Sequence, residues 1–161
     1  GEHYLQKKQF TEAEVEFDRG LLYDPNNEKL LAYKETAKKQ RKIYEKEEQS
    51  RLDKAAAKAA EEELFNRTKS IKSLSVDFSF DETHEELFVS GEVKNVGTRP
   101  VSEIEIYFAV FDENSNELLS SKTYALPNVL MPNEIGTFEE ILVISEDVSF
   151  VEVVDFSWTV R

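Results

Sequence analysis

Two hydrophobic periods divide the chain. Up to about residue 44 the apolar side chains recur at spacings of three and four, and from Ile71 onward they alternate with polar ones. The first spacing lays a stripe along a helix; the second puts every other residue on one face of a strand. Ala13, Phe17, Gly20 and Leu21 form such a stripe, and the small residues in it let a neighbouring helix come close before Asp24-Pro25-Asn26-Asn27 ends it. Thr11, with Glu14 three residues on, reads as a capping box, and Phe10 with Val15 as its hydrophobic staple. That reading places a turn between two helices over residues 5–10.

Leu30, Leu31, Tyr33, Ala37, Ile43 and Tyr44 resume the helical spacing, after which Glu, Lys and Ala take over from Glu45 to Lys69. No Gly or Pro occurs between Asn26 and Ser90. These helix formers predict one continuous or once-broken helix of about 40 residues, about 60 Å long. We read residues 45–70 as a charged, semi-rigid linker, because Leu52, Ala56, Ala59 and Leu64 make too short and Ala-rich a stripe for a coiled coil.

Beyond Ile71, Val76, Phe78 and Phe80 alternate with Ser75, Asp77, Ser79 and Asp81, as in a strand with one buried face. Leu87 to Val93, Ile104 to Val110, Leu118 to Leu126, Thr137 to Ile144 and Val148 to Val160 supply further strands between turn signals, with Pro127 and Pro132 bracketing a loop. Six or seven short strands predict an antiparallel sandwich. The expected fold class is therefore α+β in two units: a helical hairpin and long capping or linker helix over residues 1–44 and 45–70, then an immunoglobulin-like β-sandwich over 71–161.

Two family resemblances follow from particular residues. Gly1, Tyr4, Ala13, Phe17, Gly20 and Pro25 stand at the spacings of a tetratricopeptide repeat, and the first 44 residues resemble the last such repeat of an array with the helix that closes it. Phe108-Ala109-Val110-Phe111-Asp112 resembles the motif that names the FxLYD domain, with Val for Leu and Phe for Tyr. Gly91-Glu92-Val93-Lys94-Asn95 is similar to that family's G-x-V-x-N segment, and Pro132-Asn133-Glu134 with Phe138 to its P-G-E and Phe segment, Asn replacing Gly. The second resemblance implies a non-catalytic sandwich of bacterial or archaeal envelope or secreted proteins, and leans the location towards the periplasm or cell envelope. The first implies further repeats upstream and a protein or peptide partner, with Tyr4, Lys7 and Lys8 on the first helix as candidate partner-binding residues.

Charge sharpens the division. Residues 1–73 carry 16 basic and 15 acidic side chains, and residues 74–161 carry 4 and 18, so the net −13 is a helical half at +1 joined to a β half at −14. An acidic surface disfavours nucleic acid and anionic membranes and suits cationic partners. The absence of Cys removes disulfides, thiolate metal sites and cysteine nucleophiles. No apolar run of about 18 residues is present to span a membrane. The chain opens on Gly1-Glu2-His3-Tyr4 and reads as a fragment or processed product.

Chemistry is sparse. His84 lies among Asp81, Glu82, Glu85 and Glu86, which could offer a metal one nitrogen and several oxygens or make only a solvated acidic turn. Asp112 to Glu117 echoes a calcium loop but lacks its sixth-position Gly and twelfth-position Glu. We assign no catalytic, cofactor-binding or metal-binding residue. The expected function is non-catalytic protein interaction or scaffolding. The alternative is a carbohydrate or envelope-polymer module using Tyr107, Tyr124 or Trp158, although Trp158 and Phe156 have the spacing of core residues.

Overall fold

The computed structural model of the chain describes residue 2 and residues 9–161. An N-terminal helical part precedes an antiparallel β-sandwich, and the chain divides into two compact units, residues 1–58 and 59–161. The helices are α1 (Phe10–Tyr23) and α2 (Glu28–Thr68), the latter continuous over 41 residues.

In the first unit the Asp24-to-Asn27 break works through its side chains. Asn27 Oδ1 accepts the Leu30 amide at 3.0 Å and so caps α2, while the Asp24 amide closes α1 on Gly20 O at 3.1 Å. Ala13, Phe17 and Ala37 are buried, with Leu30 and Tyr33 packed against them. The Phe17 and Tyr33 rings stack at 5.6 Å. Gly20 lies where the helices meet: a Cβ there would come within 2.9 Å of Leu30 Cδ1, and the end of that side chain would have to shift. Arg41 to Glu14 at 2.8 Å and Lys34 to Asp18 at 2.6 Å join the same two helices.

The capping box does not form. Gln9 stands at the N-cap without a side-chain bond, and Phe10 is already helical. Long-range contacts outweigh the local motif: Phe10 is buried with its ring 5.8 Å from that of Tyr44, and Glu14 turns to Arg41. Val15 remains 46% exposed, so it makes no staple. Gln9 is the one non-helical residue seen in the expected 5–10 turn, whose residues 5–8 lie outside the described ones.

The second unit stacks two antiparallel sheets. Its strands are β1 (Ile71–Asp81), β2 (Glu86–Asn95), β3 (Val101–Phe111), β4 (Glu117–Tyr124), β5 (Val129–Leu130), β6 (Ile135–Val143) and β7 (Phe150–Val160). One sheet has the order β1-β2-β6; in the other, β3 pairs with β4, β5 and β7. Leu87, Val89 and Val93 of β2 and Phe138 of β6 meet Ile104, Ile106, Phe108 and Val110 of β3 in one core. This is the alternation expected of strands with one buried face. Phe78 departs from it at 39% exposure, because β1 is an edge strand with a register shift between Ser73 and Ser75.

The end of α2 is built into the sandwich unit and is not a solvated linker. Asn66 and Ser70 are buried. Asn66 Oδ1 accepts the Thr98 amide at 2.8 Å, its Nδ2 donates to Thr98 Oγ1 at 2.9 Å, and its carbonyl accepts Trp158 Nε1 at 2.8 Å. Ser70 Oγ donates to Asn66 O at 2.8 Å, and the Val96 amide to Ser70 O at 2.7 Å. Buried polar groups tolerate burial only when paired in this way.

Candidate functional site

The motif residues are held inside the sandwich. Phe108 and Val110 are fully buried on β3, and Phe111 stacks on Phe150 at 4.7 Å. Asp112 opens the β3–β4 turn: its Oδ1 accepts the amides of Asn114 and Asn116, each at 2.9 Å, and its Oδ2 accepts Asn116 Nδ2 at 3.1 Å. The Asn116 bonds, to backbone and then side chain, hold the Asp112 carboxyl below its ordinary pKa. Asn133 lies in the left-handed region with φ 70°, where Gly or Asn is favoured. Asn95, fully buried, donates to Arg99 O at 2.9 Å and Leu130 O at 3.0 Å and accepts the Gly97 amide at 2.9 Å. A carboxylate or amide so occupied has little left to offer a ligand.

Five surface regions remain. In the helical unit, Leu22 and Tyr23 are 81% and 91% exposed at the end of α1, and Leu31 is also exposed. Tyr4, Lys7 and Lys8, the residues singled out for partner binding, lie outside the described residues.

The outer face of the β3 sheet carries a polar cluster around Glu105. Its carboxylate accepts Tyr107 Oη, Tyr124 Oη at 2.9 Å and Lys122 Nζ at 3.4 Å. The two tyrosine bonds, Tyr107's first, hold Glu105 below the ordinary carboxylate range, and the same carboxylate raises Tyr124 and Lys122. Trp158 does not join Tyr107 and Tyr124 as a platform, because its ring is half-buried against the core and its N–H is given to Asn66. Tyr124 alone of the three is exposed, at 54%.

An open cleft of about 600 Å³ is lined by Asp112, Glu113, Asn114, Leu118 and Glu146 to Ser149. At the β1–β2 turn, His84 Nδ1 meets Asp81 Oδ2 at 2.7 Å. That bond raises the His84 pKa above its ordinary value and lowers that of Asp81, so the ion pair exists at lower pH and is lost as pH rises through the His84 midpoint. No group of three or more acidic or His side chains is placed to hold a metal ion among the described residues.

The fifth region is apolar. Phe88 on β2 lies opposite Ile141 on β6, and Glu86 opposite Val143. Phe88, Ile141 and Val143 are 39%, 60% and 78% exposed on the outer face of their sheet. Sequence reading passed over this patch, since its members are 53 residues apart and only the strand register unites them.

No family model and no curated protein matches the chain. Among solved structures, it is similar to the trimeric lipoprotein SadB of Salmonella enterica, at 13% identity and a TM-score of 0.36, over 99% of this chain and 93% of that one. It is also similar to a Bordetella pertussis protein described as ApaA, at 9% identity and a TM-score of 0.34, over 55% of this chain and 89% of that one. No helix is long and apolar enough to cross a membrane among the described residues.

Proposed function

We propose that the chain is a non-catalytic interaction protein of the cell envelope, in which the helical unit is the closing part of a tetratricopeptide-like array and the sandwich is an FxLYD-like domain. The observation that carries this reading is the exposed apolar end of α1: Leu22 and Tyr23 are 81% and 91% exposed, beside a buried cluster that holds Ala13, Phe17 and Ala37 among the described residues. A single repeat cannot bury its own apolar face, so such a unit gains stability by stacking against further helices or a polypeptide partner. The envelope assignment rests on the three FxLYD-like segments.

A photo-reactive amino acid placed at position 22 or 23 in the full protein tests the reading. Crosslinking in cells is expected to give a discrete polypeptide adduct from both positions and none from position 58, which lies in an exposed stretch of α2. The absence of adducts at positions 22 and 23, or an equal yield at 58, contradicts it.

A further inference from the structure

We infer that the edge of β6 at Ile141 and Val143, with Phe88 beside it, receives an extended polypeptide segment in which apolar residues alternate with Lys or Arg. This inference concerns the sandwich and stands independently of the reading given to the helical unit.

The outer edge of β6 is closed along one part and open along the next. Leu126 and Thr137 exchange both backbone hydrogen bonds at 2.8 Å, and Thr123 Oγ1 donates to Glu139 O at 3.1 Å. Backbone groups along a strand point alternately to its two sides. Since Thr137 and Glu139 turn theirs away from β2, Ile141 and Val143 do so too. β6 is the last strand of its sheet, so those groups face no neighbouring strand. Sheet edges in folded proteins are usually blunted by Lys, Pro or a covering segment, because open ones pair with other chains. Here the open stretch instead carries two exposed aliphatic side chains, continuous with Phe88 on the sheet face. An added strand would pair its backbone with Ile141 and Val143 and lay alternate side chains over the patch.

Charge selects the occupant. Glu86 and Glu139 flank the patch on β2 and β6, and Asp81 and Asp77 continue the row on β1, opposite Glu86 and Ser90. His84 pairs with Asp81 at the end of this row, no Lys or Arg stands among these positions, and residues 74–161 hold 4 basic and 18 acidic residues in all. A second copy of this sandwich would bring the same negative field and be repelled, whereas a segment with Lys or Arg between its apolar residues would be attracted and held in register.

The experiment is fluorescence anisotropy on the full protein with a labelled Lys-Val-Lys-Val-Lys-Val-Lys peptide. Controls are a Glu-Val repeat and a peptide of the same Lys and Val residues sorted into two blocks. Val143→Pro removes one outward-facing donor and leaves the pairing with β2 intact, so the melting temperature is expected to hold; if it falls, Ile141→Ser carries the comparison. The alternating basic peptide is expected to bind the unmodified protein and to bind either variant at least roughly tenfold more weakly, with both control peptides weaker by a similar factor. Equal binding of the alternating and block peptides, or unchanged binding to Val143→Pro and Ile141→Ser, would overturn the inference. So would a dimer in sedimentation equilibrium that Val143→Pro dissolves.

Discussion

Replacing Gly91 by Ala is expected to destabilise the sandwich by about 3 kcal/mol, at the upper end of what overpacking a core costs. Gly91 lies on β2 opposite Val76 of β1 and Phe138 of β6. A Cβ added there would run into the carbonyl oxygen of Ser75 and the ring of Phe138, well inside contact distance. The carbonyl belongs to the backbone just after the β1 register shift, and Phe138 is 1% exposed, so neither can move aside without disturbing a ladder or the core. A denaturant titration checks this, and thermal melting should show a drop of roughly 10 to 20 °C for a domain near 100 residues. The Gly of the G-x-V-x-N segment is thus explained by close approach and not by backbone angle, since no glycine has positive φ among the described residues.

The Asn that ends the same segment is expected to matter as much for a different reason. Asn95→Ala leaves the Gly97 amide and the Arg99 and Leu130 carbonyls without their partner. Orphaned buried groups cost about 1–3 kcal/mol each, and partial relaxation should bring the total to roughly 3 kcal/mol. Asn95→Asp separates the two halves of the side chain's role. The carboxylate still accepts from Gly97 but faces two carbonyls where the amide donated, which favours its protonated form. Its folded-state pKa is then raised above the unfolded value, so the stability of the variant should recover as pH falls and decline as pH rises through that midpoint. A variant whose unfolding free energy matches that of the unmodified protein from acid to neutral pH would contradict this role.

Much of the sandwich is legible in the sequence because one physical rule generates it. Ile104, Ile106, Phe108 and Val110 alternate and are all buried, and Asp112 begins a turn that its own side chain closes. Asn133 occupies a left-handed position, φ 70°, of the kind that Gly and Asn favour. What escapes sequence reading depends on partners distant along the chain. Asn66 sits in a charged helical run and reads as solvated, yet it is 1% exposed and bonds to Thr98 and to Trp158, 92 positions away. The Thr11 capping box is locally well formed but yields to the burial of Phe10 and the pairing of Glu14 with Arg41. Ala109 breaks the simple alternation, being buried along with both its neighbours.

The candidate surfaces were less legible for the same reason. Tyr107 and Tyr124 look alike as polar aromatics in strands, but only pairing of Glu105 with Tyr124 and Tyr107 with Lys122 shows that their hydroxyls converge on one carboxylate. The open edge at Ile141 and Val143 likewise appears only when Leu126 is seen to stop pairing with β6 at Thr137.

The central claim is that the helical unit, with Leu22 and Tyr23 exposed, completes its packing against further helices or a polypeptide partner, while the sandwich has a core of its own. Hydrogen–deuterium exchange on the 161-residue chain without a partner tests it directly, because amide protection reports the free energy of local opening. The amides of α1 from Ala13 to Leu21 are expected to exchange at the earliest labelling times, while those of Leu87 to Val93 and Ile104 to Val110 stay protected until the sandwich unfolds. Protection of α1 equal to that of β2 and β3 would show a helical unit that needs no partner, and would contradict the account.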